Sequence, residues 1–238
     1  MAKFYGGASS YLIKLDKLNK NAAILYLGIL IFIWYAIFVK NFKYLNSWEG
    51  MVGIIIIFGP FAWFAYYRYK KHIVGHGKFY RGRKGEGAVW YKLKELSDEY
   101  SVFQDIKLNS NAGNIDFAIL GPGGVYALEV KSHSGNVDFN GAELTHNGKP
   151  FEKDFLKQAK SEALQIHNFI KGKLNLDIYV KPVIVFSGRV NIHFGLKPID
   201  GAYVIGKNFL DEFFNSENRI NFPKLKIEEI LKELSNKK

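Results

Sequence analysis

The chain of 238 residues contains no cysteine, which excludes disulfides and thiolate metal sites. It has no internal repeat and no long low-complexity linker. None of its six histidines is read as part of a zinc site. The glycine-rich run Gly121-Pro122-Gly123-Gly124 lacks the Lys-Ser/Thr ending of a phosphate loop and reads as a turn. Charge is missing from two long stretches. Residues 21–39 form an uncharged run of nineteen and residues 50–67 one of eighteen, nearly all apolar.

A bilayer core needs about 20 apolar residues, with a range near 17–25. Both runs qualify, the second near the lower limit and carrying Gly59-Pro60, which predicts a kink. Trp34, Trp48, Trp63, Tyr66 and Tyr67 suit the membrane interface. Val39-Lys40-Asn41 offers no small-residue cleavage pattern, so the first run is not read as a signal peptide. The expected organisation is a cytoplasmic segment over 1–20, with an interfacial helix around Tyr11, Leu12, Leu15 and Leu18. A transmembrane hairpin follows over 21–70, then a basic juxtamembrane linker over 71–84, then a globular domain over 85–238.

Acids are absent from 68–84, where Arg68, Lys70, Lys71, Lys78, Arg81, Arg83 and Lys84 collect. Residues 1–20 add Lys3, Lys14, Lys17 and Lys20, whereas the loop between the runs has only Lys40 and Lys43. The positive-inside rule therefore puts both ends in the cytoplasm and the protein in the cell membrane, with the bilayer as a partner. The net charge of +11 does not argue for nucleic acid binding, because residues 85–238 hold twenty basic and twenty acidic side chains. Neither apolar run contains an ionisable residue to mark a transport pathway.

The globular part opens with helical spacing of Val89, Leu93, Leu96 and Tyr100 over 85–99. Residues 102–108, 115–120 and 125–131 read as strands, and 137–139 and 143–146 as short strands before an Asn147-Gly148 turn. A helix is expected over 153–171, a buried strand over 178–187 with Pro182 near its start or at an irregularity, and another over 202–205. Helices over 207–214 and 224–234 close the chain. This order predicts an α/β fold, a mixed sheet flanked by helices.

Chemistry concentrates in the hairpin. A symmetric loop centred between Pro122 and Gly123 pairs residues whose numbers sum to 245, which sets Asp116 opposite Glu129 and Asn114 opposite Lys131. Ile115, Phe117, Ile119, Tyr126, Leu128 and Val130 then share a core face. Asn114, Asp116, Ala118, Ala127, Glu129 and Lys131 share the other, where the alanines leave room beside the acids. Facing carboxylates repel unless a cation lies between them, and carboxylate oxygens suit Mg²⁺. A polar sheet face with a cross-strand Asn-Lys pair is the plain alternative. His133, two residues beyond Lys131, is either a polar strand-end residue or a group that touches substrate.

Gly85-Glu86, Asn114-Ile115-Asp116, Gly121-Pro122-Gly123-Gly124-Val125, Glu129-Val130-Lys131 and Gly135, with Asn147-Gly148 and Gln158-Ala159 downstream, resemble the NERD (nuclease-related) domain over roughly 80–190. That family is similar to the PD-(D/E)xK, restriction-endonuclease-like nucleases. The resemblance implies a restriction-endonuclease-like central mixed sheet preceded here by the two spans, and Mg²⁺- or Mn²⁺-dependent hydrolysis of nucleic acid. It implies Asp116, Glu129, Glu86 and the Val130 backbone carbonyl as metal ligands, with Lys131 on the phosphate or attacking water and Gln158 at the edge of the site. An N-terminal acid favoured by the helix dipole would equally account for Glu86, and a solvated helix position for Gln158. Phe155-Leu156-Lys157 stands where similar sequences have an Asn-Pro pair.

The expected function is a membrane-anchored, cytosol-facing metal-dependent nuclease, acting on DNA rather than RNA, in DNA processing or defence against foreign DNA. The alternative is a catalytically inactive membrane adaptor that binds nucleic acid or protein through the same fold. A homo-oligomer is compatible with either.

Overall fold

The computed structural model describes residues 1–6, 10–37, 47–108 and 113–235. It divides into a globular unit, Met1–Ser9 with Gly82–Lys238, and a helical unit, Ser10–Arg81.

In the helical unit, α1 (Ser10–Tyr35) is followed by α2 (Trp48–Leu93), whose final residues, from 82, belong to the globular unit. Each helix contains a window long and apolar enough to cross a membrane. Their large apolar side chains face outward: Phe32 is 68% exposed and Trp63 71%. Polar contacts join the two helices at one end. The Arg68 Nε–H donates to Tyr26 Oη at 3.2 Å, His72 Nδ1 meets Asn19 Oδ1 at 3.0 Å, and the Tyr26 and His72 rings stack at 5.7 Å. Residues 38 and 39 of the first run, and the loop carrying Lys40 and Lys43, lie outside the described residues, as do the side chains of Tyr11, Leu12 and Leu15. Helix α2 continues through Pro60 and through the stretch expected as a linker, 71–84. That stretch has no proline, and its lysines and arginines favour the helix against the cost of Gly75, Gly77 and Gly82.

The globular unit is built on a six-stranded mixed sheet in the order β1-β2-β3-β4-β8-β10. Strands β2 (Ser101–Ile106), β3 (Ile115–Gly121) and β4 (Gly124–Lys131) form an antiparallel meander. β8 (Val180–Phe186) joins β4 in parallel, and β10 (Tyr203–Gly206) joins β8 in parallel. A smaller sheet, order β7-β6-β5-β9, contains β5 (Gly135–Phe139), β6 (Leu144–His146), β7 (Lys149–Pro150) and β9 (Val190–Ile192). Asn147 and Gly148, both at positive φ (50° and 79°), make the two-residue turn between β6 and β7.

Helices cover both faces of the large sheet, as expected. Val89 and Leu93 of α2, with Phe213 and Phe214 of α4 (Leu210–Ser216), pack with Phe117, Ile119, Tyr126 and Leu128. On the other face, Ala163, Ile166 and Ile170 of α3 (Phe155–Leu174), with Ile227 and Leu231 of α5 (Lys224–Ser235), pack with Leu120, Val125, Ala118 and Ala127. The two alanines are therefore buried beneath helices, and the space above them is not open. The start of α3 is fixed by Asp154, whose carboxylate accepts the Lys157 N–H at 2.9 Å. Pro182 lies inside β8, but β10 pairs only from Val183 onward, so the missing N–H falls where β8 has a strand on one side only.

The hairpin register is the expected one. Phe117 faces Leu128, Ala118 faces Ala127 and Leu120 faces Val125, each pair summing to 245. Ile115 departs from it, packing in the cluster of Ala118 and Leu120 and not with Phe117. Its partner strand explains this. Asp105 adopts φ 55° between the Gln104–Phe117 and Ile106–Ile115 pairs, and the alternation of faces breaks there, with Phe103 and Ile106 in one cluster.

Sequence reading did not foresee β9 or β1. Strand β1 (Lys3–Tyr5) precedes α1, yet it pairs in parallel with β2 at the edge of the large sheet. Phe4 meets Trp90 edge-to-face at 5.5 Å, Tyr5 stacks on Phe103 at 4.9 Å, and Tyr5 Oη donates to Glu228 Oε1 at 2.8 Å. A three-residue strand has little β signal of its own and depends on this prepared edge. Tyr5→Ala is expected to destabilise the globular unit by about 2 kcal/mol, the sum of a stacked ring pair and a hydrogen bond. Tyr5→Phe should lose only the hydrogen-bond part, and unfolding of the two variants beside wild type measures both.

Candidate active site

Two strand ends and two helices bring the candidate residues together. Asp116 stands at the start of β3, Glu129, Val130 and Lys131 at the end of β4. Asp116 lies one step beyond Phe117–Leu128, the last backbone pair of the β3–β4 ladder, and its Oδ2 accepts the Val130 N–H at 2.8 Å. Gln158, one turn into α3, reaches the same place. Its Nε2 donates to Glu129 Oε1 at 2.7 Å, while its Oε1 accepts from Lys131 Nζ at 2.9 Å. Lys131 Nζ also meets Glu129 Oε1 at 2.5 Å and lies 4.3 Å above the Phe155 ring. A strand lysine is thus fixed from three sides.

Glu86 enters from α2. It is a mid-helix residue, because α2 begins at Trp48, so the helix-dipole account of this acid does not apply. Gly85 permits the approach: a Cβ there would lie 2.6 Å from Ser187 Oγ and 3.3 Å from Ser132 Cβ. Asn114 does not pair with Lys131 as expected. Its Nδ2 donates to Asp105 Oδ1 at 2.6 Å, next to the positive-φ backbone of Asp105.

Two acids of this cluster were missed in the sequence. Asp105 is buried at the end of β2. Glu162 is 7% exposed on α3, where its Oε1 accepts from Gln158 Nε2 at 2.9 Å and its Oε2 is enclosed without a partner. The signal for Glu162 was its i+4 spacing from Gln158. The signal for Asp105 was its place opposite Asp116 in the β2–β3 register, hidden by the loop between them.

The electrostatics are those of excess negative charge. Asp116 is raised well above its usual range, first by burial, then by Glu129 and Glu86. Glu86 is pushed up to about 7 by burial, then by Asp105 and Glu129. Glu162 is pushed up to about 8 by burial, then by Glu129. Lys131 is the lysine bonded within this group.

Among the described residues, no three His, Asp or Glu side chains are arranged to hold a metal ion as they stand. Glu129 is turned to Lys131 and Gln158. The donor chemistry nevertheless fits a hard divalent cation, since the acids supply only oxygen, crowd one another and leave Glu162 Oε2 unpartnered. The histidines do not compete for this role. His72 and His76 have i,i+4 spacing on α2, but His72 Nδ1 is engaged by Asn19. His146 Nε2 donates to the Ser134 carbonyl at 2.7 Å.

An acid from one strand, an acid-x-lysine from the next and a glutamine from a covering helix thus meet on a mixed sheet flanked by helices. Residues 81–187 match the family model described as the nuclease-related domain (NERD). The match runs from the end of α2 through β8 and includes every acid of the cluster. Neither the curated proteins nor the solved structures gave a match.

The raised acids give a stability prediction with a definite sign. An acid whose pKa is higher folded than unfolded stabilises the fold below its ordinary value of 4.5, and that stability is lost as pH rises through about 7 for Glu86 and about 8 for Glu162. Without metal, Glu162→Gln should match wild type near the acid end of this window. Above it the variant should be the more stable by upwards of about 1 kcal/mol. Denaturant unfolding in chelator across that pH range measures the difference.

Proposed function

We propose that this protein is a membrane-anchored, metal-dependent nuclease that hydrolyses phosphodiester bonds, DNA by preference, on the cytosolic side of the membrane. The observation that carries the reading is the Asp116–Glu129–Lys131–Gln158 cluster inside the NERD match. Asp116 and Glu129 would hold Mg²⁺ or Mn²⁺, with Glu86 and the Val130 carbonyl completing the set. The cation, when bound, would polarise the phosphate and lower the pKa of an attacking water. Lys131 would donate from Nζ to a phosphate oxygen or orient the water. Gln158 keeps that ammonium group over the site by accepting a hydrogen bond from it, and the Phe155 ring lies against it. Burial of the cluster strengthens each of these interactions, because little water competes.

Two observations support the membrane placement. The apolar side chains of α1 and α2 are outward-facing, and the basic residues flank the spans on one side of the hairpin. Chain order supports a double crossing. Strand β1 precedes α1 and its partner β2 follows α2, so a chain that leaves on α1 returns on α2.

A second reading, a non-catalytic adaptor, is favoured by one observation: no three acids are pre-arranged around a common point among the described residues. Calorimetry separates the two. A nuclease binds Mn²⁺ and loses that binding in Glu129→Ala, whereas an adaptor shows no specific uptake.

The full chain in detergent should cut nucleic acid with Mg²⁺ or Mn²⁺. Lys131→Ala should lower the rate by about 100-fold or more, the usual effect of removing a group that stabilises transition-state charge. Cutting that survives alanine at both Asp116 and Glu129 would overturn the assignment.

A further inference from the structure

A group of aromatic rings next to Lys131 is not used by the chemistry above. His133 follows β4, His146 ends β6, and Phe151 follows β7. The His133 ring lies 5.7 Å from His146, 5.1 Å from Phe151 and 5.6 Å from Phe155. His146 and Phe151 are stacked at 5.4 Å with their planes 16° apart. Phe155 carries the Lys131 ammonium group on its ring, so the lysine and His133 are neighbours across one side chain.

These rings fall into two sets. Phe155 and Phe186 are buried and belong to the core that fastens the small sheet to the large one. His133, His146 and Phe151 are half-buried and form the rim of that core on the Lys131 side. Fastening alone does not call for two histidines, and it leaves His133 Nδ1 enclosed with no partner. A packing role would be met better by apolar residues, which bring no unpaired nitrogen. Burial, with His146 and Lys131 nearby, lowers the pKa of His133, so its ring stays neutral and flat-faced at neutral pH.

We infer that the His133, His146 and Phe151 rim is a nucleobase-stacking subsite, and that the substrate is therefore single-stranded nucleic acid. The inference rests on the nuclease reading for its choice of ligand. Every base has a π-face, so a ring platform accepts a strand without reading its sequence. A duplex keeps its bases stacked on one another and presents none to such a platform. With Lys131 directed at the phosphate two residues upstream, the rim is placed to take the base of an adjoining nucleotide. The exposed β6–β7 turn, Asn147-Gly148, and Lys149 at the start of β7 border the same rim and offer polar groups and a cation to the strand.

The test uses the full chain in detergent with chelator, so that nothing is cut, and fluorescence anisotropy with three probes: a short single strand, the same strand with its bases removed, and a duplex. Wild type should prefer the base-bearing single strand. Phe151→Ala and His133→Ala should each weaken that binding by about tenfold and leave binding of the base-free strand unchanged. Ring-retaining Phe151→Trp and His133→Phe should keep the preference, which separates stacking from misfolding. Equal binding of base-bearing and base-free strands by wild type overturns the subsite, as does wild-type preference in both alanine variants. Metal is then added to the same samples. Cutting accompanied by ring-independent binding overturns the subsite alone, whereas ring-dependent binding without any cutting by wild type keeps the subsite and overturns the nuclease reading.

Discussion

Everything at the candidate site depends on the register between β3 and β4. β4 lies at the centre of the large sheet, paired to β3 on one side and β8 on the other. A slip of one residue would turn Glu129 and Lys131 to the opposite face and bring Val130 in their place. Such a slip is costly because both faces are buried beneath helices: Phe117 and Leu128 under α2 and α4, Ala118 and Ala127 under α3 and α5. The tight Gly121–Gly124 turn and the alternation of side-chain size thus secure the acids indirectly, by making every other register unpackable.

The register brings like charges together. Burial and the neighbouring carboxylates, Glu129 among them, raise the pKa values of Asp116, Glu86 and Glu162. A cluster of this kind makes the protein less stable than it would be with amides in the same positions. Sites that bind cations have this character, since what the fold loses in self-repulsion is recovered when positive charge enters. The supporting residues are correspondingly rigid: Gln158 is bonded to three members of the cluster, and α3 is anchored by its Asp154 cap.

The first six residues tie the chain's start to its globular end. β1 occupies the free edge of β2, which would otherwise present unpaired backbone groups to solvent or to another chain. Tyr5 carries this contact to α5 through Glu228, while Phe4 carries it to the end of α2 through Trp90. The NERD match covers neither β1 nor β10, yet both belong to the sheet on which the site is built.

Much of this was legible in the sequence. Local rules gave the hairpin register, the Asn147-Gly148 turn, helix α3 and the two apolar runs, because turn chemistry, periodicity and run length act over a few residues. The sequence alone therefore determined which residues could share a strand face and which helices are apolar enough for a bilayer. Tertiary structure decided the rest. It drew α2 through the basic stretch into the globular unit, which made Glu86 a mid-helix acid. It covered the alanine face with α3 and α5, and it moved Asn114 from Lys131 to Asp105. It also brought Glu162 to Gln158 and Glu129, and recruited Lys3–Tyr5 to an edge nearly a hundred residues away. Each of these outcomes depends on burial and on charges meeting across long sequence separations, and no local pattern encodes which distant surface will be the partner.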